Sequence, residues 1–533
     1  NELQRYTTVT KADVLRVYNK YIKGKPAVIL SIATKAQPDN VAGAPNVSVS
    51  SAGYRAPDYG YAGLKYAKPK DTFDRSKMPA SGPNPVVRVP VFWRESLDGG
   101  ISAIGVESRE VPTVALTLSI PGGHLLQADN PSRLGLARLF ALMMNEDTET
   151  RTAEQYQDEL RKLGSTVTVA SGLDAITINV QTLVKNLDKT LALMEDRLLK
   201  PKFTQAAFDR IKLQTLEGFK ARRAQPATVA TDVFARLNEG STSILGMSQF
   251  GTEETVANIT LADVEDYYRR FITNRGTRMV VVGDVSQKDV VGRLGFLARL
   301  PVRDVKLPAI PAAPPVDKTR IYIVDFPKAA QTEFRVGYST GLKYDATGEY
   351  YRANLMNFPL GGSFSSRLNL NLREDKGWTY GASSTLSGNK YTGTFAFSAG
   401  IRADATAAAL AEVMRELEKY GTSGVTGEEL NFLKSAVGQR DARLYETPAQ
   451  KAGFLQRMLE YDLPADYVDI QNRILAGITK AEMDQVSAKW IKTSNVNVLL
   501  VGDKALMLPD LQKMGYEIVE LNVSGDRIPA GPR

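Results

Sequence analysis

A pattern of 28 residues occurs three times in this chain, as Thr8 to Lys35, Asn258 to Val285 and Gly477 to Lys504. A sequence that repeats itself in this way is held to copies of one fold. Each copy opens on a Thr N-cap (Thr10, Thr260 or Thr479), then has an acidic first turn, an amphipathic helix and an apolar run that reads as a buried strand. The first copy lies too near Asn1 for the unit it should terminate, so the expectation is a fragment: the tail of one repeat followed by two whole ones. Further landmarks agree. Thr204 opens a helix and Pro226-Ala227 comes 22 residues on; Thr426 opens another, and Pro448-Ala449 again comes 22 on. The offset between units is 222 residues at both landmarks and 219 at the terminal pattern. That constancy argues for duplication of a domain of about 210 residues rather than a short solenoid repeat.

Within the first whole unit the periodicity predicts strands near 91–93, 100–107 and 113–120, helices over 134–144 and 153–163, strands at 166–170 and 175–181, and helices over 187–198 and 205–223. The second begins with strands at 320–325 and 333–339 and keeps the same order. The fold class expected is α+β: two tandem homologous domains, each an antiparallel-rich sheet with helices on one face, preceded by the terminal helix and strand of an upstream domain. The boundaries read as 1–35 for that terminal piece, 36–90 for a linker, 91–301 and 318–522 for the two domains, 302–317 for a second linker and 523–533 for an unstructured tail. Prolines from Pro38 to Pro90 among Gly, Ser and Tyr make the first linker an extended strap, and Pro308, Pro311, Pro314 and Pro315 make the second a stiff tether.

Composition narrows the chemistry. The net charge of +8 comes from 67 basic and 59 acidic residues mixed along the chain, without the Lys/Arg blocks of nucleic-acid tails. No apolar run approaches the roughly 18 to 20 residues of a membrane-spanning helix. There is no Cys, hence no disulfide or thiolate metal site, and only one His. Zinc enzymes rely as a rule on two or three imidazoles, so this chain cannot build such a centre alone. That histidine, His124 after Pro121-Gly122-Gly123, reads as a surface or hydrogen-bonded loop residue.

The unit size, the order of elements and the helix start Gly135-Leu136-Ala137-Arg138-Leu139-Phe140-Ala141-Leu142-Met143 resemble the pitrilysin/insulinase metallopeptidases, whose zinc motif is the inverted H-x-x-E-H. The resemblance runs from Thr8 to about Asn522 and is closest to the carboxyl-terminal, non-catalytic half of a long-chain bacterial member. It places the three functional positions of the motif on Arg138, Ala141 and Leu142, so both imidazoles and the general-base carboxylate are missing; Glu217 stands about where the distal carboxylate ligand would be. It therefore implies no cofactor in this chain and zinc in a complementary catalytic half.

Arg373-Glu374-Asp375-Lys376-Gly377-Trp378-Thr379-Tyr380 is similar to the family's carboxyl-half signature, in which an Arg and a Tyr seven residues apart reach the active centre. The resemblance assigns Tyr380 to the scissile carbonyl or oxyanion and Arg373 to the substrate backbone. A phenol or guanidinium aimed at that oxygen stabilises the transition state more than the ground state. An ordinary packed pair on one helical face is the plainer alternative, although Gly377 breaks the helix between them. Upstream, Gly361-Gly362-Ser363-Phe364 resembles a loop that faces substrate in two-subunit relatives, and helix entry alone would also explain its glycines. The implied function is one wall of a clamshell chamber enclosing unstructured peptides, with an amino-terminal catalytic half or subunit as partner and a periplasmic or cell-envelope location. The rival is a non-enzymatic assembly protein, similar to respiratory-complex core subunits, or a peptide-binding protein.

Overall fold

The structure is a computed structural model that describes residues 2–31, 58, 60–61, 63–65, 74–77, 82 and 85–529. It divides into two compact units, Asn1–Ser81 and Gly82–Arg533.

In the first unit, helices span Glu2–Thr8 and Lys11–Tyr21. Thr10 caps the second: its hydroxyl accepts from the Asp13 N–H at 3.2 Å and the Asp13 carboxylate accepts from the Thr10 N–H at 3.1 Å. The apolar run after this helix is not a strand where it is described. Val28, Ile29 and Leu30 are 99%, 77% and 80% exposed. A strand exists only with neighbours to take its N–H and C=O groups. The equivalent segments of the other two copies have them, and this one has none among the described residues. Residues 32–35 and most of the strap lie outside the described residues.

The second unit holds two six-stranded sheets. In the first, β1 (Trp93–Leu97), β2 (Ile101–Glu107), β3 (Thr113–Pro121), β4 (Thr166–Ser171), β5 (Ala175–Leu183) and β6 (Arg278–Gly283) lie in the order β1-β2-β6-β3-β5-β4, and only β2 and β6 run parallel. In the second, β7 (Arg320–Asp325), β8 (Gln331–Ser339), β9 (Thr379–Gly388), β10 (Gly393–Arg402), β11 (Asn497–Gly502) and β12 (Glu517–Leu521) lie in the order β12-β7-β11-β8-β10-β9, with β7 parallel to both neighbours. The α+β class and the tandem duplication therefore hold, in mixed sheets rich in antiparallel pairs. The helix read over 134–144 spans Leu136–Met143, and the first strand lies at Trp93–Leu97 rather than 91–93.

The apolar strands of the repeated pattern become the interior strands β6 and β11. Met279, Val280, Val281 and Val282 are all buried, as are Val498, Leu499, Leu500 and Val501. Continuous burial needs cover on both faces of a sheet. Each sheet's own helices cover one face. On the other face of the first sheet, the helix Pro448–Glu460 lays Phe454, Leu455 and Met458 on Ile104, Val106, Val280 and Val282. Reciprocally, Pro226–Glu239 lays Val229, Val233 and Phe234 on Tyr322, Val324, Leu499 and Val501 of the second sheet. The helices marked by the paired Pro-Ala landmarks are thus exchanged between the two sheets.

Polar contacts frame the exchange. Lys451, 7% exposed, donates to the Ser108 hydroxyl at 3.0 Å and meets Glu110 at 3.2 Å. Glu239 accepts from the Thr392 hydroxyl at 3.0 Å, and Asp174 takes Lys390 at 3.2 Å and the Tyr391 hydroxyl at 2.9 Å. The segment 301–316 runs without helix or strand but is seated, with Leu307 and Ile310 packed around Leu125, Leu134 and Ile244. The tail expected to be unstructured turns back instead: the Ile528 N–H donates to the Glu520 carbonyl at 2.9 Å and Asp526 pairs with Arg236 at 2.6 Å. Residues 530–533 lie outside the described residues.

Candidate functional site

Two places collect the residues singled out by the sequence. The first is the helix Leu136–Met143, entered through Gly135 at φ +94°, where a Cβ would sit 2.8 Å from the Phe250 carbonyl oxygen. Ala141 is buried and Leu142 partly so, while Arg138 is exposed. The Arg138 guanidinium lies 4.4 Å from the Phe250 ring centre, and Arg222, from the helix Gln205–Arg223, lies 3.8 Å from the same centre. Partial desolvation of its guanidinium and the neighbouring Arg222 both hold the Arg138 pKa below its usual value. Arg138 and Leu142 line a hollow of about 490 Å³ whose other walls include Arg210, Gln214, Gly218 and Arg222. Glu217 is exposed and does not line it, so the carboxylate expected beside the degenerate motif faces elsewhere. A guanidinium, a methyl group and an isobutyl group offer a dication no donor, and the local charge repels it. These residues do not fit zinc. Among the described residues no three His, Asp or Glu side chains converge as a metal site.

The adjoining edge of the first sheet is closed by the chain's own side chains. Asn145, just beyond the motif helix, donates to the Val169 carbonyl at 2.8 Å and accepts from the Val169 N–H at 2.9 Å. Buried Arg197 donates to the Val167 carbonyl. A further strand adding to β4 at these residues would have to displace both.

The second place is the approach to β9, the edge strand of the second sheet. The helix Glu349–Asn357 runs into a wide helical turn at Phe358–Gly362, then Arg367–Asn369 and a second wide turn at Leu370–Asp375; Gly377 at φ +64° ends it and β9 begins two residues on. Such wide turns are rare and concentrate at functional sites. Tyr380, at the start of β9, is 92% exposed. Arg373 stacks on Phe364 with its guanidinium 4.4 Å from the ring centre, and its Nη1 is 2.9 Å from the Glu374 carboxylate. Phe364 is itself 69% exposed. The phenol and the Arg373–Phe364 stack are therefore not core groups.

The four loop positions separate. Gly361 is buried against β9, where a Cβ would meet the Ser384 hydroxyl at 2.2 Å and its nitrogen at 2.4 Å, so close helix-to-strand packing accounts for this glycine. Gly362 is exposed, Ser363 is partly buried, and the Ser363 Oγ is enclosed without a hydrogen-bond partner. This edge is also partly stoppered: Asn357 donates to the Ser384 carbonyl at 2.8 Å, and the Ala382 N–H donates to Asn369 at 3.0 Å.

Of the two readings of His124, the hydrogen-bonded one holds and the surface one does not: it is buried at 2% exposure. Its Nε2 sits 3.0 Å from the Ile244 carbonyl and 3.1 Å from that of Met247, so Nε2 carries the proton, and burial holds the imidazole pKa below its usual value. Sequence reasoning gives no functional role to Arg210 or Phe250, and reads Arg222, within the basic cluster 220–223, as part of a solvated helix face. Their spacing makes no motif, and only the packing of Gln205–Arg223 beside the degenerate helix brings them together.

Residues 258–437 match the family model "Peptidase M16 inactive domain" and residues 104–241 match "Insulinase (Peptidase family M16)". The two matches together span more than half of the chain, which belongs to peptidase family M16. The chain is 22% identical over 396 residues to the "Non-peptidase homolog YmxG" of Helicobacter pylori, covering 73% of this chain and 88% of that protein. It is also 22% identical to the "Uncharacterized zinc protease YmxG" of Bacillus subtilis, over 64% of this chain and 82% of that one. The solved peptidase M16 inactive domain from Pseudomonas fluorescens superposes with a TM-score of 0.69 at 22% identity, covering 77% of this chain and 98% of its own. The chain is an inactive M16-like half, of a family whose relatives include zinc proteases.

Proposed function

We propose that this chain is the non-catalytic carboxyl half of a zinc metalloendopeptidase, one wall of a closing chamber that encloses unstructured peptides. Zinc and the general base belong to an amino-terminal half or catalytic subunit of the same family. The observation that carries the reading is Tyr380, a phenol left 92% exposed at the mouth of an edge strand, directly after a chain reversal that sets Arg373 on the preceding turn. That exposure leaves the phenol accessible to another molecule, as a donor to substrate must be, and it supports the reading together with the motif that carries it. In this role Tyr380 donates to the carbonyl oxygen as negative charge develops on it, Arg373 holds the substrate backbone, and Gly362, Ser363 and Phe364 border the path. A periplasmic or cell-envelope location belongs to the same proposal and is checked by fractionation.

The test is cleavage of an unfolded peptide by this chain combined with its catalytic half. Tyr380→Phe should lower kcat by about 10² to 10³ while KM moves little, the signature of a donor used in the transition state. An unchanged rate would remove the proposal. No cleavage by the combination would also remove it, and would favour the second reading, a peptide-binding or assembly protein without hydrolysis, which the non-peptidase name of the Helicobacter pylori relative supports.

A further inference from the structure

The hollow beside the degenerate motif is lined by three guanidinium groups, Arg138, Arg210 and Arg222. Two carboxylates answer them: Glu146 pairs with Arg210 at 2.6 Å and Asp232 with Arg222 at 3.0 Å. Arg138 has no acidic partner among the described residues, and its planar group rests on the Phe250 ring with its edge nitrogens unclaimed. The local balance is thus one positive charge, in a recess of about 490 Å³ large enough for an amino-acid side chain or a chain end. Gly218 keeps the recess open: a Cβ built there meets nothing within 4 Å. Gln214 and Thr215 line the same wall and supply neutral polar atoms.

We infer that this hollow is a binding site for a carboxylate carried by a peptide, with Arg138 as the group that takes the charge. A planar carboxylate matches the guanidinium fork in a way that a point charge or a neutral amide does not. A single residual charge suits a monoanion better than a phosphate dianion. The inference rests on the peptide-binding reading above and adds to it a preference for chains that carry an acidic side chain or a free carboxyl terminus. The position where a relative would hold a metal ion holds here a cation that belongs to the protein, and the ligand preference comes from that charge.

The experiment measures fluorescence anisotropy of short fluorescein-labelled unstructured peptides against the full chain at low salt. One peptide is prepared in four forms: a free carboxyl terminus with no acidic side chain, the amidated version, the amidated version with one internal Glu, and the same with Gln. The carboxylate-bearing forms should bind about tenfold more tightly than their neutral counterparts, the range expected of a charge-assisted contact. The terminal and internal arms tell which carboxylate is taken. Arg138→Gln should abolish the difference and Arg138→Lys should restore part of it, because Lys keeps the charge but not the fork. Gly218→Leu, which fills the recess without altering charge, should weaken the same forms. Equal binding of all four forms, or a preference that survives Arg138→Gln, overturns this site and leaves the peptide-binding reading standing. No binding of any form overturns both.

Discussion

The imidazole of His124 is a neutral donor shared between two carbonyl groups, and its other nitrogen is enclosed without a partner. Because burial depresses its folded pKa, the unfolded chain binds the proton more readily. The stability His124 contributes is complete above the unfolded value of about 6.5 and is lost as pH falls from there towards the folded pKa. The melting temperature should therefore drop between neutral pH and about pH 5, and His124→Gln, which keeps an N–H for the carbonyls, should flatten that drop. Differential scanning fluorimetry across pH checks it. Residue types were legible where a motif carried them. Arg373, Tyr380 and the substituted positions Arg138, Ala141 and Leu142 stand in recognisable strings, whereas Arg222 and Phe250 are anonymous in sequence and meet Arg138 only through packing. The burial of His124 was equally hidden, since its partners lie 120 and 123 residues away.

At the scale of elements, the Thr caps are local physics, and all three behave alike: Thr10, Thr260 and Thr479 each form a reciprocal capping box with the residue three on. Beyond the caps, distant partners decide the outcome. Val264, Tyr267 and Ile272 are buried in the second copy, while the corresponding Val14, Val17 and Ile22 are 59%, 43% and 64% exposed. The same pattern is thus a packed helix and strand where strand partners pair with it, and a helix followed by an exposed run where none is found among the described residues. The Pro226–Glu239 and Pro448–Glu460 helices show the same dependence, because their amphipathic stripes declare a buried face without saying which sheet buries it. Phe454 is 0% exposed and central to this contact, meeting Phe92, Tyr445 and Tyr467 in ring contacts. Phe454→Ala should cost about 3 to 5 kcal/mol, read as a fall in the urea midpoint.

For the Gly82–Arg533 unit as a whole, the exchange ties two sheets that each have their own core into one cooperative body. Each sheet relies on the other half for cover of its second face, so neither keeps its full burial once the other unfolds. Scanning calorimetry should show one dominant transition for this unit, and Phe454→Ala should shift it whole rather than split it. Duplication, the α+β class, the capped helices and the loss of the zinc ligands were all readable from the chain, because each depends on residue type and on spacings of a few residues or on one constant offset. The reciprocal helix exchange, the exposed state of the first copy's apolar run, the closed edge at Asn145 and the basic hollow around Arg138 were decided only in three dimensions. Burial, charge balance and strand pairing are properties of neighbours brought together across hundreds of residues, and a one-dimensional pattern names the surfaces that need covering without naming what covers them.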